Sequence, residues 1–298
     1  MTRRDVGILF LLAALWGGSF LFMRVASPVL GPVVLIDMRV LIAGIVLVAY
    51  AIALRQRPKL FHKWKAYLVL GALNAAIPFC LIATAELRLN ASVAAILNAT
   101  TPLFTALVAR FWIQDHFTIK KFLGVLLGIL GVTILVGWNF HHDTPRFWLS
   151  MGMSLGAAFF YAVGGVFSSK AFRGENPLNL AIGQQLAAGV ILLPVAVFFV
   201  PHRMPSADAI WALLGLAVLS TSLGYLLYFY LMRRVGPVRT LSVTFLVPVF
   251  GVLWGWWFLR EAVTSNLVLG MAVILLSVAL VINVPLKWPR PHPASSKQ

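Results

Sequence analysis

The chain has 298 residues, 61% of them hydrophobic and 11% charged. A soluble domain carries about 45–50% apolar and about 25% charged residues, so a soluble protein is excluded and an integral membrane protein is expected. The formal charge of +16 does not point to nucleic acid, because the basic residues sit in short loops between apolar runs and form no stripe or binding fingerprint.

A helix needs ~20 predominantly apolar residues to cross the hydrocarbon core. Ten such segments are predicted, at 6–26, 32–54, 65–86, 91–112, 119–138, 147–169, 178–200, 207–231, 238–259 and 265–285. The first follows Thr2-Arg3-Arg4-Asp5. It is longer than the apolar region of a signal peptide and has no small-residue cleavage site, so it is read as a retained helix. Short loops follow, marked by proline, glycine or charge: Ser27-Pro28, Arg55 to Lys59, Gly174 to Pro177, Pro201 to Pro205, Gly236-Pro237. No loop is large enough to be a soluble domain. The single cysteine, Cys80, lies inside an apolar run and excludes an intrachain disulfide framework. The proline-rich tail from Lys287 is expected to be disordered.

Of the 24 lysines and arginines, 18 fall at one set of alternating helix ends and four at the other; Arg24 and Arg39 lie within spans. By the positive-inside rule this places both termini in the cytoplasm and requires an even number of crossings.

Pro102, Phe104, Asp115, Thr118 and Gly124 recur as Pro248, Phe250, Glu261, Thr264 and Gly270, each pair 146 residues apart, and Arg24 and Lys170 share the offset. Five helices are thus followed by five more. An odd number per half makes the second copy enter from the opposite side, an arrangement that puts substrate near the midplane between the repeats. The expected organisation is a first five-helix repeat over 1–143, a second, inverted repeat over 144–286, and a cytoplasmic tail over 287–298.

These pieces, with Trp16-Gly17-Gly18-Ser19-Phe20 in the first helix and Arg39 followed by a small-residue helix in the second, resemble the drug/metabolite transporter superfamily in its ten-helix EamA-type branch. The first copy departs from the family pattern, with Asp115-His116 where Glu-Arg is usual. The segment from Ala91 to Pro102 is similar to YddG-type exporters of aromatic amino acids. The resemblance implies an all-α polytopic fold with a pseudo-twofold basket and a central cavity. It also implies helices one, three, four, six, eight and nine around that cavity, and export of small metabolites across a bacterial-type inner membrane.

Within the fourth span, Asn98, Thr100 and Thr101 precede Pro102. The proline lacks an N–H and frees a carbonyl near Asn98, which in lipid must be satisfied by side chains, water or a neighbouring helix. Either Asn98 and Thr101 line a wet substrate cavity, or threonine bonds back to its own helix and Asn98 glues two helices. Thr244 is the repeat partner of Asn98. Asn74 and Pro78 in the third helix, and Ser220, Thr221, Ser222, Gly224, Tyr225 and Tyr228 in the eighth, complete a polar band at matching depth. Trp16, beside Ser19 in the first helix, Tyr161, Tyr225 and Trp254 are candidate apolar walls suited to aromatic rings. Pro102, Pro248 and Gly224 are candidate hinges. Asp37 is expected to pair with Arg24, with Arg39 beside them in a structural clamp, and Glu86 to be solvated at a helix end.

The acid of small multidrug antiporters has no counterpart, since no acidic residue lies between Val6 and Ala26. An intramembrane enzyme is disfavoured because all six histidines fall in loops or the tail, only Asp37 is an acid deep in a span, and no HExxH occurs. A channel is disfavoured because the midplane lacks rings of charge. The expected function is a secondary transporter exporting small metabolites, among them aromatic amino acids, by alternating access without strong proton coupling. The alternative is a proton-coupled exporter of drugs, nucleosides or sugars. No cofactor, metal or nucleic acid is expected. Substrate and membrane lipid are the expected partners, with a monomer as the working unit and an oligomer as the alternative.

Overall fold

The computed structural model describes residues 1–58, 60–112, 114, 118–137, 145–202 and 204–282. Asp115 and the tail from Lys287 lie outside them. Ten helical spans follow in order: α1 (Arg3–Leu30), α2 (Pro32–Ala53), α3 (Phe61–Ala85), α4 (Ala91–Trp112), α5 (Ile119–Val136), α6 (Pro145–Ala171), α7 (Pro177–Phe199), α8 (Ala207–Val235), α9 (Val243–Leu259) and α10 (Ser265–Ile282). No strand occurs among the described residues. Among the described residues nine spans are long and apolar enough to cross a membrane, and α9 is a shorter apolar helix of 17 residues.

Local chemistry sets the ends. Gly31, at φ 75, closes α1, and Pro32 opens α2 with its fixed φ and missing N–H at no cost. Thr2 and Asp5 form a capping box at the start of α1, and Asn176 caps α7 ahead of Pro177. Isoleucines 45, 52 and 129 remain largely exposed on the outside of the bundle, as a lipid-facing surface requires.

The packing has a twofold pattern. Helices α2 and α7, α4 and α9, and α5 and α10 pack as equivalent pairs. α1 packs on α9 as α6 packs on α4, and α1 meets α8 as α6 meets α3. Because each half crosses five times, the two halves run in opposite senses. Small residues allow close approach: an added Cβ at Gly131 of α5 would meet Ile274 of α10 at 2.7 Å, and one at Gly270 of α10 would meet Leu135 at 2.8 Å.

A separate helical turn, Pro237–Thr240, precedes α9, and the symmetry breaks at α4. This span is two helices, Ala91–Asn98 and Thr101–Trp112, separated by a turn at Ala99-Thr100. The first half packs on α9; the second turns away onto α6 and α10 and makes no comparable packing with α9. The equivalent pair α4 and α9 is therefore closed at one end of the bundle and parted at the other. The parted end is the one at which the chain starts.

Candidate functional site

Two further helix irregularities flank the broken α4. Ala72–Ala76 in α3 and Gly215–Leu223 in α8 are π-helical. Shifted by the repeat offset of 146, 72–76 falls on 218–222, inside the second π segment. Wide turns of this kind concentrate at functional sites because they displace carbonyls and side chains from the regular ladder. In α8 the hydroxyls follow the wider spacing. Thr221 Oγ1 donates to the Leu216 carbonyl at 2.8 Å and Ser222 Oγ to the Ala217 carbonyl at 2.9 Å, each five residues back.

A polar chain crosses the bundle at this depth. Asn74 Nδ2 of α3 donates to Gln184 Oε1 of α7 at 2.9 Å, and Gln184 Nε2 donates to the Tyr225 hydroxyl of α8. Tyr225 and Tyr228 stand against the Trp16 indole, with ring centroids 6.3 and 5.4 Å away. Gly224 makes room for that indole: a Cβ there would lie 2.6 Å from Trp16 Nε1. On the other side, Tyr161 meets Phe79 edge-on at 6.0 Å. Trp16, Asn74, Asn98, Tyr161 and Tyr225 are half-buried, whereas Pro78 and Gly224 are buried.

Several predicted site residues spend their polar atoms on helices. Ser19 Oγ donates to the Trp16 carbonyl at 2.6 Å, Thr101 Oγ1 to the Asn98 carbonyl at 2.7 Å, and Thr244 Oγ1 to the Leu241 carbonyl at 2.8 Å. Ser220 Oγ joins α8 to the Leu15 carbonyl of α1 at 2.7 Å, and Trp254 Nε1 joins α9 to the Ala14 carbonyl at 2.9 Å. Asn98 Oδ1 is enclosed and has no hydrogen-bond partner. Pro102 stands just after the break in α4, while Pro248 sits inside the uninterrupted α9. Gln184 and the fully buried Gln185 were missed from sequence; two adjacent amides inside an apolar span were a signal as legible as Asn98.

The ion pair expected between Arg24 and Asp37 is not formed. Arg24 Nη1 donates instead to the backbone carbonyl of Glu86 at the end of α3, where the helix dipole concentrates negative charge. Asp37 is buried with Oδ1 unpartnered. Glu86, expected in solvent, is fully buried, and both its carboxyl oxygens lack partners. Arg39 joins neither acid. Its Nε donates to Thr221 Oγ1 at 2.9 Å, Nη1 lies 3.6 Å from Met23 Sδ, and its carbon Cζ sits 3.7 Å over the Phe79 ring.

The closed end of the bundle is latched. Asn90 at the start of α4 makes no side-chain cap, so the first N–H groups need an acceptor from elsewhere. Glu261, in the turn after α9, supplies it. Its carboxylate accepts from Ala91 N at 2.8 Å, from Ser92 N at 3.0 Å and from the Ser92 hydroxyl. At the parted end, Arg234 Nε of α8 pairs with Asp5 of α1 at 2.8 Å.

Paired inverted halves, helices interrupted near mid-span, and a polar and aromatic band beneath one latched end define an integral membrane transporter of the inverted-repeat class. The chain belongs to the EamA-like transporter family, whose sequence pattern matches residues 6–137 and again residues 148–283. Its relatives include the uncharacterized transporter YvbV of Bacillus subtilis, 25% identical over 93% of this chain and 91% of its own length. The uncharacterized inner membrane transporter YedA of Escherichia coli is 28% identical over 92% of this chain and 89% of its own. A probable amino-acid metabolite efflux pump of Escherichia coli is 27% identical over 97% of both chains. A solved crystal structure superposes with a TM-score of 0.65 at 20% identity, over 94% of this chain and 96% of that one, which establishes the shared fold.

Proposed function

We propose that this chain is a secondary carrier of the inner membrane that exports amino acids, aromatic ones among them, by alternating access. Two inverted units, 1–143 and 144–286, move against each other, and both termini face the cytoplasm. The observation that carries the reading is the half-buried band of Trp16, Asn74, Tyr161 and Tyr225, set at π-interrupted depth between a latched end and a parted end. Aromatic faces with a few fixed polar groups suit an amino acid with a ring. The relative named as a probable amino-acid metabolite efflux pump supports the same substrate class. Substrate enters where α4 and α9 are parted. Release follows when the Glu261 latch opens and the other half of α4 closes.

A second reading, proton-coupled exchange, is favoured by one observation: Glu86 is a sealed carboxyl without a partner in the latched half, a group able to carry a proton. Counterflow in proteoliposomes tests both. Saturable exchange of labelled tryptophan or phenylalanine, unchanged by a pH gradient, is the expected result. Flux that appears only with the gradient and vanishes in Glu86→Gln supports the second reading. Flux of organic cations without amino-acid flux overturns both amino-acid readings.

A further inference from the structure

Arg39 is a buried cation without a counter-ion, with 5% of its surface exposed and no carboxylate at ion-pair distance among the described residues. It lies seven residues into α2, about 10 Å below the latched end, and faces the bundle interior, so it cannot snorkel to water. An isolated charge there is costly and in membrane proteins marks a substrate or ion path.

We propose that Arg39 is the anchor for the carboxylate of the transported molecule, an assignment that rests on the amino-acid reading above. Its guanidinium is held for that task. Phe79 lies beneath it at 3.7 Å, and Thr221 accepts from Nε at 2.9 Å while its own proton is committed to Leu216 in the π segment. One edge of the fork is thereby fixed. Among the described residues Nη1 meets only the Met23 thioether, a weak acceptor, and Nη2 makes no hydrogen bond. A carboxylate is the planar acceptor that matches two parallel N–H groups.

The protein's own acids do not fill this place. Asp37 is two positions away on the same helix and cannot face Arg39. Glu86 is enclosed at the end of α3, where its backbone carbonyl is held by Arg24. Tyr161 and Tyr225 lie within electrostatic reach of the guanidinium, as does Glu86, which makes no hydrogen bond to it, and Tyr225 also touches Trp16. The charged anchor and the aromatic wall are thus joined by one side chain. An α-amino acid with its carboxylate at Arg39 places its side chain toward that wall.

The test compares each acid with its amide. Tryptophan, phenylalanine and threonine compete against labelled substrate in counterflow beside tryptophanamide, phenylalaninamide and threoninamide, which keep ring or hydroxyl and ammonium but lose the carboxylate. The wild-type protein is expected to favour the acid by about thirtyfold or more, the scale of an unpaired buried charge. Arg39→Gln, checked by its elution profile and thermal midpoint, is expected to equalise acid and amide, with Arg39→Lys intermediate. Equal competition by acid and amide in the wild-type protein overturns the anchor, whether or not any variant folds, and leaves the amino-acid reading standing. Discrimination that survives in a folded Arg39→Gln protein overturns it too. Absence of flux for every acid overturns the amino-acid reading, and the anchor with it.

Discussion

Gly17 and Gly224 are both buried, yet a methyl group at each meets different atoms. At Gly17 it meets Phe250 Cβ at 2.7 Å, Gly251 N at 2.8 Å and the Val247 carbonyl at 2.9 Å, so α1 and α9 must separate. At Gly224 it meets the Trp16 indole, a side chain at the edge of the candidate site. Gly17→Ala is expected to cost about 1–3 kcal/mol, the range for overpacking, read as loss of the thermal midpoint in detergent. Gly224→Ala is expected to spare the midpoint and change apparent affinity for aromatic substrates, read by counterflow. A third residue carries a pH signature. The hydrogen bond from Asn179, then the charges of Lys63 and His62, hold the Glu175 carboxyl below the usual carboxylate range against the opposing effect of burial. A depressed folded value contributes stability above the unfolded pKa of about 4.3 and loses it as pH falls through the folded one. Wild-type unfolding midpoints measured below about pH 5 are expected to drop more steeply than those of Glu175→Gln, within about 1 kcal/mol. Residue identities were legible in the sequence where polarity stood out against lipid. Partners were not: charge matching joined Arg24 to Asp37, whereas the end of α3 offered a closer carbonyl.

In the alternating access proposed above, the broken α4 is the element that turns. Thr101 Oγ1 takes up the Asn98 carbonyl that Pro102 leaves free, so the break is satisfied without water. Pro102→Ala restores an N–H and favours a continuous helix. It is expected to slow counterflow several-fold at unchanged expression, whereas Pro248→Ala, within the uninterrupted α9, is expected to do less. Equal loss of expression and flux in Pro102→Ala would identify a folding defect instead. Spans were legible because lipid demands continuous apolar runs of fixed length; every predicted span corresponds to an observed one within a few residues. The π segments were not legible. Their register change leaves no gap in hydropathy, and only the hydroxyls at Thr221 and Ser222, aligned with carbonyls five residues back, betray it.

Across the whole molecule, the repeat read from five residue pairs reappears as equivalent helix contacts, because the offset between repeats was written in proline, glycine and acid rather than in interchangeable aliphatics. The parted and closed ends were not read from the sequence, since the five matched pairs are common to both halves. Glu261→Gln weakens the acceptor that holds Ala91 and Ser92. Labelling of Cys80 by an impermeant maleimide added on the latched side is expected to rise several-fold, and unchanged labelling would mean the latch does not control access. The same latch has a kinetic corollary. Shifted by 146, its donors at Ala91 and Ser92 become Pro237 and Val238, which offer neither the proline N–H nor a hydroxyl. Two donors fewer, at about 1.5 kcal/mol for each hydrogen bond to a charged group, amount to roughly 3 kcal/mol, or a bias on the order of a hundredfold. On the proposed carrier reading, an idle molecule then waits almost always with its mouth toward the side where the chain begins. A molecule arriving from the other side must catch a conformer present about 1% of the time, and its apparent affinity is lowered by that fraction. Without an energy source the ratio of maximal rate to half-saturation must be equal in the two directions, so the bias shows as unequal half-saturation on the two sides and not as one-way flux. On the carrier reading, that inequality is built into which residues can donate a proton at two turns.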